Sequence, residues 1–267
     1  MSQTEHLSDR AVIRLSGEDR LSFLQGLITQ DVDPLTKGSA IFAALLTPQG
    51  KILFDFFVAP GADGVLIDCS APAAPALLKR LSLYKLRAKV ALEIDGSLNV
   101  LASDSALEGG FADTRHPSLG WRRITTDSVS PSGSPYDARR IALGVAEFGK
   151  DFDSDQMFLT DVNYDALNGV NYKKGCFIGQ EVTSRMKRKG DVRRRTLIAE
   201  FDGPAPQKSA AVTASDSTLG EMLSGVDGAA LAAIRLDRME KAASLEIPVT
   251  CDGRELHLRI PDYLEQG

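Results

Sequence analysis

Cys176 stands between Gly175 and Gly179 in the stretch NYKKGCFIGQEVTSRMKRKG, residues 171–190. The glycines leave the backbone free for a tight turn or for close approach of a ligand. Lys173 and Lys174 precede the thiol and a helix start follows it, and both features favour thiolate. Against that, a free cysteine is commonly a small buried hydrophobe, and no histidine lies nearby in sequence to serve as its base. Residue types alone leave Cys176 open between a nucleophile, a metal ligand, a ligand contact and a packing residue. From Gln180 onward Val182 and Met186 fall at i and i+4, as do Glu181 and Arg185, so the spacing predicts a helix. Glu181 and Arg185 would then form either an exposed intrahelical pair of about 0.3–0.5 kcal/mol or, with Gln180, hydrogen-bonding forks aimed into a cleft. Lys187, Arg188, Lys189, Arg193, Arg194 and Arg195 put six basic residues in nine positions, either a solvated face or a hold for an anionic tail.

The elements that must position these residues follow from patterning. Residues 11–17 alternate as a half-buried strand, and residues 18–32 carry Leu21, Leu24, Leu27 and Ile28 at helical spacing, with Ser16 available as N-cap. Residues 39–47 read as a strand turning at Pro48, Gln49 and Gly50. Strands at 52–58 and 65–69 follow, joined by a Pro/Gly turn. Residues 71–90 open on prolines and repeat Leu77, Leu78 and Leu81 on one helix face. Two short strands then flank Asp95 and Gly96. The Ser/Pro-rich stretch 127–137 is the expected internal break. After Gly190, short strands spaced by Gly, Asp and Ser turns read as a small antiparallel barrel or sandwich. The order is an α+β pattern followed by an all-β C-terminal unit.

Composition bounds the function. With 31 basic and 36 acidic residues the net charge is −5, which argues against a general nucleic-acid binder. The N-terminus has no basic region followed by a long apolar core, so no secretory signal is expected, and no window suits a membrane span. Cys69, Cys176 and Cys251 lie far apart, which is no disulfide framework and fits a reducing cytoplasm. With His6, His116 and His257 scattered as well, no metal site is expected from this chain alone.

KKGCFIGQEVTSR resembles the signature of the YgfZ-type folate-binding proteins, whose motif reads Lys-Gly-Cys-aromatic-x-Gly-Gln-Glu followed by an arginine. FLQGLITQDV, LLTPQGKILFDFFV, LSLYKLRAKV, DTRHPSLGWR and LNGVNYKKGCFIGQE extend the resemblance along most of the chain. The family is kin to the aminomethyltransferase (T-protein) of the glycine cleavage system, and its mitochondrial relatives act in maturation of 4Fe–4S proteins. The resemblance implies a three-domain ring: a discontinuous first α+β domain (1–40 and 137–190), a second (41–136), and a six-stranded antiparallel barrel (191–267), around a central channel that takes tetrahydrofolate. It places motif positions on Lys174, Gly175, Cys176, Phe177, Gly179, Gln180, Glu181 and Arg185. Asp55 lies near the acidic position that the aminomethyltransferases use on folate. Phe54 and Phe56 flank that single carboxylate, where those enzymes carry an Asp-Asp pair. Tyr84 and Arg87 become wall residues of the pterin site, with helix-end packing as the other reading.

The expectation is therefore a cytoplasmic folate-binding auxiliary protein for iron–sulfur cluster assembly or repair. It would support 4Fe–4S enzymes such as tRNA-modifying radical proteins, with Cys176 as a functional thiol. Its partners would be a reduced folate and iron–sulfur enzymes or cluster carriers, with no membrane and at most an indirect role for nucleic acid. The alternative is a folate-dependent one-carbon (aminomethyl) transferase. A tRNA-binding module acting through residues 187–195 is a third reading.

Overall fold

The computed structural model describes residues 4–127, 135–190 and 192–265. The chain opens with β1 (Thr4–His6), β2 (Arg10–Ser16) and two short helices, α1 (Arg20–Gln25) and the one-turn α2 (Asp33–Thr36). Asp19, not Ser16, holds the N-cap position of α1. A meander follows, β3 (Ile41–Leu46), β4 (Ile52–Gly61) and β5 (Gly64–Ser70), its first turn closed by Gly50 N–H donating to Thr47 O at 2.9 Å. Every residue of β3 is buried, so this strand is covered on both faces and reads as an unbroken apolar run. Helix α3 (Ala74–Lys85) carries Pro75 in its first turn and buries Leu77 and Leu81.

The strands β6 (Ala91–Ile94) and β7 (Asn99–Ser103) flank Asp95 and Gly96, but they do not pair with each other. β6 joins β2 in a five-stranded sheet of order β3-β4-β5-β2-β6. β7 pairs with β1 and with β9 (Trp121–Thr125), in a four-stranded sheet completed by the two-residue β8 (Phe111–Ala112). The turn is thus a crossing between sheets. The expected boundary at residue 40 runs through the five-stranded sheet, because β2 is hydrogen-bonded to β5 and β6. Most of the Ser/Pro-rich break, residues 128–134, lies outside the described residues.

After α4 (Pro135–Ala142), residues 143–179 carry no helix or strand until α5 (Gln180–Lys189). This stretch is nonetheless core: Val145, Phe148, Phe152, Leu159, Val162, Tyr164, Leu167 and Phe177 are buried. Local turns answer its backbone polar groups, such as Gly149 N–H to Phe152 O and Tyr164 N–H to Leu159 O, which is what lets irregular chain sit inside.

The C-terminal unit contains β10 (Arg194–Glu200), β11 (Ala211–Ala214), β12 (Ser217–Val226), β13 (Ala229–Arg235), β14 (Val249–Cys251), β15 (Arg254–Glu255) and β16 (His257–Arg259). Its sheet order is β15-β14-β11-β12-β13-β10-β16. The two end strands are one residue apart in the chain, so the sheet must curl until its ends nearly meet. Alternation along β10 sends Leu197 and Ala199 into the barrel core and Ile198 into the main core. Helix α6 (Leu236–Ser244) interrupts the expected all-β reading, with Leu236, Met239 and Ala242 packed on the barrel core at helical spacing. A last turn, α7 (Asp262–Glu265), closes the chain.

A buried ionic seam ties the three sheets together. Arg10 on β2 meets Asp68 on β5 at 2.6 Å, and Arg122 on β9 meets Asp68 at 2.9 Å and Asp113 at 3.1 Å. Arg115 grips Asp113 at 2.7 Å, and Arg10, Arg115 and Arg122 all lie within 3.6 Å of Glu147. Arg140 on α4 continues the seam to Asp151 at 2.7 Å, and Asp151 accepts hydrogen bonds from Ser224 on barrel strand β12. Four guanidiniums (10, 115, 122, 140) face four carboxylates (68, 113, 147, 151), all at most 2% exposed at the side chain, so these eight groups balance in charge. DTRHPSLGWR, one of the segments that carried the family resemblance, supplies Asp113, Arg115 and Arg122 to this seam.

Candidate functional site

The motif loop sits on a platform made by the chain that follows α1. Thr29, fully buried, donates its hydroxyl to Gly169 O at 2.6 Å and accepts from Ala44 N–H at 2.8 Å. Asn171 N–H donates to Thr29 O at 3.0 Å, and Gln30 donates to Asn168 O at 2.7 Å. Three stretches of the resemblance, FLQGLITQDV, the strand pair around PQG and LNGVNYKKGC, therefore meet in space. Gly179 explains the close approach: its φ is +80°, and a Cβ there would lie 2.6 Å from Thr47 O. A side chain at 179 would push α5 off the β3–β4 turn.

Lys174 is the tether of this loop. Its Nζ donates to Gln25 O and Ile28 O, both at 2.6 Å, at the end of α1. Burial pushes its amine down to about 8, with Asp31 pulling the other way. The motif lysine is thus half-buried and engaged with carbonyls. Lys174→Ala should leave those two acceptors without their donor, cost about 1–2 kcal/mol, and loosen the loop. Faster labelling of Cys176 by a thiol reagent in the folded variant checks this; an unchanged rate and melting point would mean that the tether is idle.

Cys176 is exposed on the tethered loop, and a Cβ at Gly175 beside it would meet nothing within 4 Å. The other two thiols are buried, and burial pushes Cys69 up to about 12. Gln180, at the start of α5, is half-buried, whereas Glu181 and Arg185 are exposed, and no ion pair joins them among the described residues. The basic run is divided. Lys187, Arg188 and Lys189 end α5 in solvent, favourably placed for the helix dipole, with Lys187 over the Tyr172 ring at 3.9 Å. Arg194 is paired with Glu221 at 2.6 Å, and Arg195 chelates Asp165 at 2.5 and 2.9 Å.

Asp55 goes elsewhere. Strand alternation turns Phe54 and Asp55 to opposite faces of β4. Asp55 is 1% exposed and accepts from the Tyr164 hydroxyl and from Phe148 N–H at 3.1 Å, while its Oδ1 has no partner. Burial pushes its carboxyl up, against the pull of Arg10. It belongs to the seam side of the sheet, and its strand partner Ala44 donates to Thr29 of the motif loop's platform. Phe54 instead lines a cleft of about 650 Å³ between α3, β4 and residues 148–154, within the range of small-molecule sites. The Phe54 and Phe148 rings stand 5.7 Å apart at 55°, Ser70 and Gly149 line the wall, and Lys79 and Arg80 contribute cations. Tyr84 packs partly buried on the main core and Arg87 is exposed; neither lines the cleft. Phe148, Ser70, Lys79 and Arg80 were not singled out from sequence. The cations sat in plain view on α3, but Phe148 comes from a segment without periodicity.

Comparison with known proteins fixes the family. Residues 193–266 match the family model described as the CAF17 C-terminal beta-barrel domain. The fold matches the crystal structure of glycine cleavage system aminomethyltransferase T from Bartonella henselae with a TM-score of 0.75, over 99% of this chain and 87% of that one, at 15% identity. The iron-sulfur cluster assembly factor IBA57 homolog, mitochondrial, of Pyricularia oryzae is 29% identical over 98% of this chain and 84% of its own length. The mouse protein named iron-sulfur cluster assembly factor IBA57, mitochondrial, is 30% identical over 88% of this chain and 78% of its own. These names correct one expectation: the cytoplasmic location read from the cysteines and N-terminus gives way to relatives that are mitochondrial. On that sequence identity and coverage, this chain belongs to the family of the iron-sulfur cluster assembly factor IBA57.

Proposed function

We propose that this chain is an iron–sulfur cluster assembly factor that presents Cys176 to a client or carrier and binds a reduced folate in the aromatic cleft. The observation that carries the reading is the single exposed thiol on a loop held by Lys174 and Gly179, in a chain whose other thiols are buried. Closed protein-held clusters commonly take four ligands, so one thiol serves a transient cluster whose remaining ligands come from a partner. The clients would be 4Fe–4S enzymes, tRNA-modifying radical proteins among them. The YgfZ-type resemblance of the motif and the relatives' names support this assignment.

The cleft supports the folate half. Phe54 and Phe148 offer faces for a flat pterin, Ser70 a hydroxyl for its polar edge, and Lys79 and Arg80 cations for a glutamate tail. When bound, tetrahydrofolate supplies a reduced pterin able to carry a one-carbon unit. Asp55 does not line the cleft, so a folate held there favours the assembly-factor reading over the aminomethyl transferase alternative, which would use that carboxylate. Calorimetric titration with tetrahydrofolate should saturate, and Phe148→Ala should weaken it about tenfold, the scale of one lost stacking face. If Glu181→Ala or Arg185→Ala weakens binding and Phe148→Ala does not, the ligand sits at the motif. If no titration saturates, the folate assignment fails while the cluster assignment stands on its own test.

A further inference from the structure

Between Asp68 and Glu93 the chain has no carboxylate and five cations, Lys79, Arg80, Lys85, Arg87 and Lys89, in a protein whose net charge is −5. Lys79, Arg80, Lys85 and Arg87 are exposed and form no ion pair among the described residues; Lys89 pairs with Glu18 at the surface. The same segment shows apolar side chains to solvent. Leu83 is 62% exposed and Leu86, just past the end of α3, is 90% exposed. Leu86 is also held at φ +42°, ψ −103°, a conformation that costs a branched residue energy. Five residues further on begins β6, exposed at three of its four positions and at the edge of its sheet, with β2 as its sole strand neighbour among the described residues. Ile94 at its end is exposed as well.

We propose that the end of α3, the loop carrying Leu86 and the free edge of β6 form a docking surface for an acidic protein partner with an apolar pocket. Charge complementarity selects that occupant. The four unpaired cations outnumber the carboxylates around them, Glu93 on β6 and Asp153 beside Lys79 and Arg80 in the cleft wall, so they attract an acidic face and steer its approach, and Leu83 and Leu86 supply the anchors that a polyanion alone would not need. A second copy is disfavoured, because a two-fold contact sets these cations against themselves. A bilayer is disfavoured too: Leu77 and Leu81 face the core, so α3 has no continuous apolar side to lay into lipid. Duplex nucleic acid is disfavoured by the chain's net charge of −5, and single strands by the lack of a free stacking ring among the described residues of this surface, since Tyr84 is packed on the core. The surface adjoins the cleft, which Lys79, Arg80 and Leu83 also line, but it needs neither a bound folate nor Cys176.

The test is photo-crosslinking in cells with the full chain carrying p-benzoylphenylalanine in place of Leu86, and a control carrying it in place of Leu245, another exposed leucine on the barrel. The expected result is an adduct at 86, absent at 245, whose partner by mass spectrometry has more Asp and Glu than Lys and Arg. The double variant Lys85→Glu, Arg87→Glu, with its melting point unchanged, should cut the yield at least roughly fivefold. No adduct at 86, the same adduct at 245, an adduct with a second copy, or a yield indifferent to charge reversal would each overturn the proposal. So would co-sedimentation of the purified chain with phosphatidylserine vesicles that the charge reversal abolishes, in the absence of a protein adduct.

Discussion

Glu147→Ala should destabilise the protein by about 3–5 kcal/mol, the cost of removing one member of a buried charge network and leaving its partners unpaired. Glu147 is 1% exposed and stands within 3.6 Å of Arg10, Arg115 and Arg122, 3.9 Å of Arg140 and 3.5 Å of Lys150. Its Oε1 accepts the Tyr136 hydroxyl at 3.1 Å, and that hydroxyl in turn accepts from Arg115 and Arg122. Alanine leaves these guanidiniums in a dry interior with less negative charge than positive. Denaturant unfolding of the two proteins measures the loss. A change below about 1 kcal/mol, the range of an exposed ion pair, would show that water or rearrangement has already screened the seam.

The same carboxylate sets an acid limit. Burial pushes Glu147 up, but Arg10, Arg115, Lys150 and Arg122 together hold it well below the usual carboxylate range. Asp113, buried against Arg115 and Arg122, is lowered as well. A carboxyl lowered by folding contributes stability that is fully present above its unfolded value, about 4.3 for glutamate. That contribution is lost as pH falls through the folded value. Stability should therefore be flat toward neutral pH in this respect and drop steeply below about pH 4, with a shallower drop in Glu147→Ala.

The sequence made strands, turns and the α5 helix readable because each rests on local periodicity. β2, the β4–β5 hairpin and the helix beginning at Gln180 all lie where alternation or i, i+4 spacing put them. Pairing was less readable. Asp95 and Gly96 look like a hairpin turn, yet β6 and β7 enter different sheets, since strand partners are set by long-range packing. α6 hid among barrel strands because Leu236, Met239 and Ala242 make a helical stripe only if the window is read at 3.6 residues.

For the site, the motif's compactness was legible and its chemistry was not. Lys174 looked like a cation for a ligand or a thiolate, and the fold spends it on two carbonyls of Gln25 and Ile28. Asp55 looked like a folate carboxylate. The alternation in ILFDFFV already put it opposite Phe54, but which face holds the cleft depends on α3 and on residues 148–154. The seam left almost no local signal: Arg10, Asp68, Arg122 and Glu147 are scattered charges until three sheets close on them.

Cys176→Ser should abolish function while leaving the fold intact. The thiol is exposed and the change is one atom, so stability should hold within about 0.5 kcal/mol. A thiol reagent should label Cys176 in the folded chain and reach Cys69 and Cys251, both buried, only after unfolding. The serine hydroxyl keeps the size but is a far poorer ligand for a soft iron–sulfur centre than thiolate. The decisive measurement is the activity of several 4Fe–4S enzymes in a strain lacking this protein, complemented either with the parent chain or with Cys176→Ser at equal abundance. The account predicts full recovery with the parent and activities no better than the deletion with the variant, across all the cluster enzymes together. Recovery of those activities by Cys176→Ser to the parent's level would contradict it.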